Sequence, residues 1–188
     1  MPVAMTRHVR LALIGLGIAG CPMPAHAADV PFSIGAVYAY GDNVDVYGIQ
    51  GVWVPRFGND VLRPHGFEFR VSSQLGVWDA RDNYEHSSLT YGNLLAETRY
   101  VPWRSQSVQP FVELGFGVHL NSHTQIANHN LATAFNFGSQ GALGMTFGDE
   151  GRYEVAAFIY HASNARIKQP NQGLTYSGIR LRMALPSM

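Results

Sequence analysis

The sequence predicts an all-β protein, an eight-stranded antiparallel transmembrane β-barrel, and three observations carry that expectation. Eight stretches alternate apolar and polar residues with a period of two. Charged residues make up only 14% of the chain and Lys168 is the sole lysine, whereas the surface of a soluble domain is ordinarily far more charged. No apolar run beyond the N-terminal leader reaches the length of a membrane-spanning helix, which leaves a closed sheet as the way across a bilayer.

The first element is a leader over residues 1–27. Arg7, His8 and Arg10 precede the apolar run Leu11 to Ala19, and the breaker-rich Cys21-Pro22-Met23-Pro24 follows. Ala25-His26-Ala27 then puts small residues where a signal peptidase reads, so export and cleavage before Ala28 are expected, leaving a barrel domain over 28–188. Ile18-Ala19-Gly20-Cys21 also resembles a lipobox, in which Cys21 would be lipidated. A closed barrel needs no second anchor, which favours the first reading. Cys21 is the only cysteine, so the exported part forms no disulfide and no cysteine metal site.

The expected strands are 30–40, 44–55, 65–78, 87–102, 108–120, 134–147, 151–163 and 174–185. The first, second and fourth alternate less regularly than the others. In the third, Phe67, Phe69, Val71, Leu75 and Val77 oppose Glu68, Arg70, Ser72 and Gln74. In the fifth, Val112, Leu114, Phe116, Val118 and Leu120 oppose Glu113, Gly115 and Gly117. The sixth sets Phe135, Phe137, Leu143, Met145 and Phe147 against Asn136, Gln140 and Thr146. The eighth sets Ile179, Leu181, Met183 and Leu185 against Arg180 and Arg182. In the seventh, Val155, Ala157 and Ile159 share a face that His161 and Ser163 continue.

Periodicity alone does not say which face points outward, and a soluble lipocalin-like barrel would turn the apolar face inward around a ligand. The polar face carries both signs: Glu68, Arg70, Glu97, Arg99, Glu113, Arg152, Glu154, Arg180 and Arg182. Opposite charges can pair inside a narrow barrel, and the nearly charge-free opposite face suits lipid. With both termini periplasmic, 56–64, 103–107 and 148–150 become periplasmic turns, and 41–43, 79–86, 121–133 and 164–173 become outer loops. Trp53, Trp78, Trp103 and tyrosines near strand ends read as an interfacial girdle. A net charge of zero gives no sign of nucleic acid.

His161 and Ser163 lie two residues apart on one strand face, about 7 Å between Cα atoms. At the outer end of a lipid-facing row they are costly unless hydrated or used, and a histidine there can take the serine proton. His-x-Ser alone is a weak motif, and both side chains would also suit the headgroup zone. His119, His123 and His129 gather near the third outer loop, but their Asn, Ser and Thr neighbours fit a hydrated loop better than zinc.

The run His161-Ala162-Ser163-Asn164-Ala165-Arg166-Ile167-Lys168-Gln169-Pro170-Asn171-Gln172-Gly173 resembles the signature of the PagL family, lipid A 3-O-deacylases of the outer membrane. Pro110-Phe111-Val112-Glu113-Leu114-Gly115-Phe116-Gly117-Val118 is similar to that family's fifth strand. The resemblance is specific across about 108–173. It implies an eight-stranded barrel that hydrolyses the acyl ester at position 3 of lipid A, with His161 as general base and Ser163 as nucleophile. It implies Asn164 as an oxyanion-stabilising side chain and Asn171 as a loop-shaping one. No metal or cofactor is implied. The partners are lipid A or lipopolysaccharide in the outer leaflet and the membrane itself, with a homodimer one open state of assembly.

Two departures stand out. The family's acid lies shortly after the Asn-x-Gly pair, where this chain has Gly173-Leu174-Thr175-Tyr176, and no Asp or Glu follows Glu154. Thr175 stands nearest that place on the outward face, and its hydroxyl can accept from the histidine ring. Arg166 stands where the family often has a glycine giving a backbone N–H to the oxyanion; its cation can also attract a lipid A phosphate. The missing acid keeps a second reading open: a weak or inactive barrel with a structural or lipid-binding role.

Overall fold

The computed structural model describes residues 32–186 apart from 83, 105 and 106. The expected leader, its cleavage site and Cys21 lie outside the described residues.

Eight strands close into one antiparallel barrel: β1 (Phe32–Gly41), β2 (Val44–Trp53), β3 (Phe67–Ala80), β4 (Ser88–Tyr100), β5 (Gln109–Asn121), β6 (Phe135–Phe147), β7 (Tyr153–Ser163) and β8 (Leu174–Ala184). Each pairs with its neighbours in sequence, and β1 closes the ring on β8 with Tyr40 opposite Ser177. Each expected strand corresponds to one of these, with ends shifted by a few residues. No helix among the described residues is long and apolar enough to cross a membrane.

The apolar rows point outward. Ile49, Leu75, Leu114, Leu143, Ile179 and Leu181 are all well exposed on the outer wall. The polar rows point into the lumen, where most of their side chains are buried. In the half nearer the chain termini Arg99 reaches Glu113 and Glu154, each at 2.7 Å. Arg70 lies 3.2 Å from Glu113, and Arg180 and Arg182 each lie 3.2 Å from Glu154. Burying such ions is tolerable only because each carboxylate faces several guanidinium groups. Aromatic rings fill the outer half. His119 sits between Tyr160 (Nδ1 to the hydroxyl, 2.9 Å) and Asn121 (Nε2 to Oδ1, 2.8 Å), stacked on Trp78 and Tyr91.

Trp78 is a correction to the girdle. It is fully buried in the lumen, because it shares its parity with Ser72 and Gln74 rather than with Val77. Trp53 and Trp103 are exposed near strand ends. The three histidines do not gather round a common point: His119 is inside, His123 bonds to Ser122, and His129 bonds to the Gly173 carbonyl. The long periplasmic turn is also partly ordered. It holds one helical turn, Asn59–Leu62, then a 3-10 turn, Arg63–His65. Asn59 anchors both, donating to the carbonyls of Pro55 and Phe69 and accepting from the Phe69 N–H at 2.7 Å.

At the outer end the β5–β6 loop is a lid with structure of its own. Gln125–Ile126 pairs with His129–Asn130, and Ile126 and Leu131 are fully buried over the aromatic half of the lumen. The other outer loops dock on it. The Ala127 N–H donates to the His86 carbonyl, Asn43 Nδ2 donates to Asn128 Oδ1, and the Asn130 N–H donates to Gln172 Oε1.

Candidate active site

His161 and Ser163 lie at the outer end of β7 on the outside of the barrel, and both line a shallow, mostly apolar pocket of about 280 Å³. Alternation puts them there: Ala162, between them, is fully buried, whereas His161 is exposed and Ser163 is partly so. Phe116 and Phe137, stacked with centroids 6.0 Å apart, form the wall on the β5–β6 side, and Ser139 and Ala165 complete it. The pocket therefore opens on the outer wall of the barrel, at the end of β7.

Thr175 is directly opposite His161 in the β7–β8 ladder, and its Oγ1 lies 2.8 Å from His161 Nδ1. With hydrogen on Nδ1 the ring donates to Oγ1 and Nε2 is bare, the form a general base requires. Gly173 packs on the other side of the ring: a Cβ there would lie 2.9 Å from Cε1 and 3.4 Å from Nε2. The Gly173 carbonyl is bonded by His129 Nδ1 at 3.0 Å, which ties the lid to the wall of the site. Among the described residues neither Nε2 of His161 nor Oγ of Ser163 is hydrogen-bonded to another protein group, so both are open to a ligand in the pocket.

The β7–β8 loop turns sharply after Ser163. Asn164 is fully buried, and its side-chain amide donates to the carbonyls of Leu131 and Lys168, both at 2.9 Å. Its backbone N–H donates to Asn171 Oδ1 at 3.0 Å. Both amide protons of Asn164, the side chain expected at the oxyanion, are thus given to loop carbonyls. The free donors are elsewhere. Ala165 and Arg166 both have positive φ, 52° and 66°, and among the described residues their N–H groups meet no protein acceptor. Two consecutive non-glycine residues in that region are uncommon, and such strain tends to collect at functional sites. Arg166 and Lys168 are exposed at the outer rim, flanking an exposed Ile167.

One neighbour escaped the sequence reading. Asp42, in the two-residue turn between β1 and β2, accepts the Thr175 N–H on Oδ2 at 2.7 Å. It lies 133 residues away in sequence. Only closure of β8 on β1 brings it near, and continuing the Tyr40–Ser177 register by two residues would have pointed to it.

Comparison with known proteins bears on the family and the fold. The family model described as lipid A 3-O-deacylase (PagL) matches residues 65–184. The lipid A deacylase PagL of Pseudomonas aeruginosa is 27% identical over 154 residues, covering 80% of this chain and 82% of that protein. The crystal structure of the outer membrane enzyme PagL superposes with a TM-score of 0.68 at 21% identity, covering 81% of this chain and 99% of that one. The barrel, with its His-x-Ser pair facing lipid, belongs to the lipid A 3-O-deacylase (PagL) family.

Proposed function

We propose that this chain is an outer-membrane esterase that hydrolyses the 3-O-linked hydroxyacyl chain of lipid A, with Ser163 as nucleophile and His161 as general base. The observation that carries the reading is the Thr175–His161 bond. It holds the ring by Nδ1 and leaves Nε2 uncommitted in the pocket that Ser163 also lines, on the outer wall of the barrel.

His161 Nε2 takes the proton of Ser163 Oγ as that oxygen attacks the ester carbonyl. The oxyanion is met by the backbone N–H groups of Ala165 and Arg166, fixed donors at the edge of a water-poor surface. The intermediate collapses by breaking the bond between the acyl carbon and the sugar O3, and His161 returns the proton to that oxygen. Water then attacks the acyl-enzyme by the same route and releases the hydroxy fatty acid. Phe116 and Phe137 flank the acyl chain, and Arg166 faces a lipid A phosphate.

Labelling with a serine-directed fluorophosphonate tests the pair. The expected result is one adduct on Ser163 in the folded barrel and strongly slowed labelling in His161→Ala. A barrel that stays unlabelled, or an adduct that forms equally fast without His161, would favour the inactive lipid-binding reading, for which the absence of an acid after Glu154 is the supporting observation.

A further inference from the structure

We propose that Asp42 supplies the negative charge that this site lacks on its own strand pair, as a positioning residue acting on His161 through Thr175; this rests on the esterase reading above. Thr175 and His161 face each other on β8 and β7, and Asp42 continues that row from the turn at the end of β1. Thr175 is opposite His161 in the β7–β8 ladder, and extending the β1–β8 register by two residues past Tyr40–Ser177 brings Asp42 opposite Thr175. Asp42 Oδ2 accepts the Thr175 N–H at 2.7 Å, and Thr175 Oγ1 lies 2.8 Å from His161 Nδ1.

The first effect is mechanical. Thr175 is the second residue of β8, and past the end of β1 its N–H would have no sheet partner on that side. The charge-assisted bond to Asp42 fixes its backbone and so the direction of Oγ1. The second effect is electrostatic. When His161 takes the serine proton it becomes a cation, and a carboxylate two hydrogen bonds away favours that form. The charge is not spent elsewhere. Among the described residues no cation pairs with Asp42, whereas Asp45 in the same hairpin is held by Arg81 at 2.7 Å and by the Tyr38 hydroxyl.

A simpler role competes with this one. Asp42 and Asn43 both have positive φ, 47° and 64°, as a two-residue hairpin turn requires, and Asp suits such a turn. Asp42→Asn separates the roles, because asparagine suits the turn equally and keeps an oxygen for the Thr175 N–H while removing the charge. The other charged or titratable groups on elements around His161 are His129 in the lid, Arg166 and Lys168 on the following loop, and the paired Asp45 and Arg81.

The test measures kcat and KM of lipid A deacylation by the full barrel, together with the NMR shifts of the His161 ring nitrogens in a Ser163→Ala background. Asp42→Asn is expected to lower kcat about threefold to tenfold with KM unchanged, a modest loss because the carboxylate is exposed. The loss should shrink at high salt, as a charge effect does and a change of turn geometry does not. The ring nitrogen shifts should change with the same substitution. Asp42→Glu, a poorer turn residue that keeps the charge, should be more active than Asp42→Asn. Unchanged ring shifts and rate in Asp42→Asn would overturn the proposal and leave Asp42 a turn residue. An inactive wild type whose ring shifts still respond to Asp42→Asn would instead overturn the esterase reading and leave the coupling standing.

Discussion

Gly173→Ala tests whether the position of the His161 ring, rather than its mere presence, sets the rate. Gly173 has φ 67°, and a Cβ there would lie 2.9 Å from His161 Cε1 and 3.2 Å from the Ala162 carbonyl oxygen. Ordinary contact begins near 3.4 Å, so the ring must retreat by about 0.5 Å. It is held at Nδ1 by Thr175, and retreat therefore tilts Nε2 away from Ser163 or stretches the Thr175 bond. A misplacement of about 1 Å can lower a rate on the order of a hundredfold, so half of that corresponds to about tenfold. The positive φ itself costs alanine about 1–2 kcal/mol of stability. Gly66→Ala is the matched control at the periplasmic end: φ 83°, with a Cβ 2.9 Å from a Tyr100 ring carbon and 3.1 Å from the Val101 carbonyl. Urea midpoints of the detergent-folded barrels should fall by similar amounts, while the initial rate of lipid A deacylation should fall only in Gly173→Ala. Equal rates in the two variants would refute the claim that the glycine keeps the base in place.

Three further outcomes are expected. Ile179→Arg, on the exposed outer wall in register with Ala157 at mid-strand, should destabilise the barrel by about 2–4 kcal/mol in vesicles, whereas Gln125→Arg in the lid should have little effect; equal tolerance would argue against lipid on that face. Glu113→Ala should cost about 3–5 kcal/mol in the same unfolding assay, because Arg70, Arg99 and Arg180 lose a shared buried partner; a loss below about 1 kcal/mol would mean that water replaces it. N-terminal sequencing of the exported protein should begin at Ala28, and a lipidated Cys21 would reject that cleavage site.

Much of the fold was legible because a barrel writes itself as alternation. β3, β5, β6 and β8 alternate cleanly, and the bipolar charge of the inward rows distinguished a lipid-facing wall from a ligand-binding calyx. Trp78 shows where composition misleads: a tryptophan near a strand end suggested an interface, although its parity put it with Gln74 inside. The site was legible where it is local. Alternation puts His161 and Ser163 on one strand face, the family resemblance pointed to Thr175, and its hydroxyl lies 2.8 Å from the ring nitrogen. What sequence could not give was tertiary. The commitment of the Asn164 amide to Leu131 depends on how the lid folds over the lumen. The approach of Asp42 depends on closure between the first strand and the last.

The central claim is that Ser163 performs ester hydrolysis on lipid A. Its most direct test is mass spectrometry of lipid A from a host without such an enzyme, expressing either the wild-type chain or Ser163→Ala, with heat-modifiability verifying that both barrels fold. The account predicts loss of the hydroxyacyl chain at position 3 with the wild type and intact lipid A with Ser163→Ala. Intact lipid A in both, or the same deacylated product in both, would contradict it.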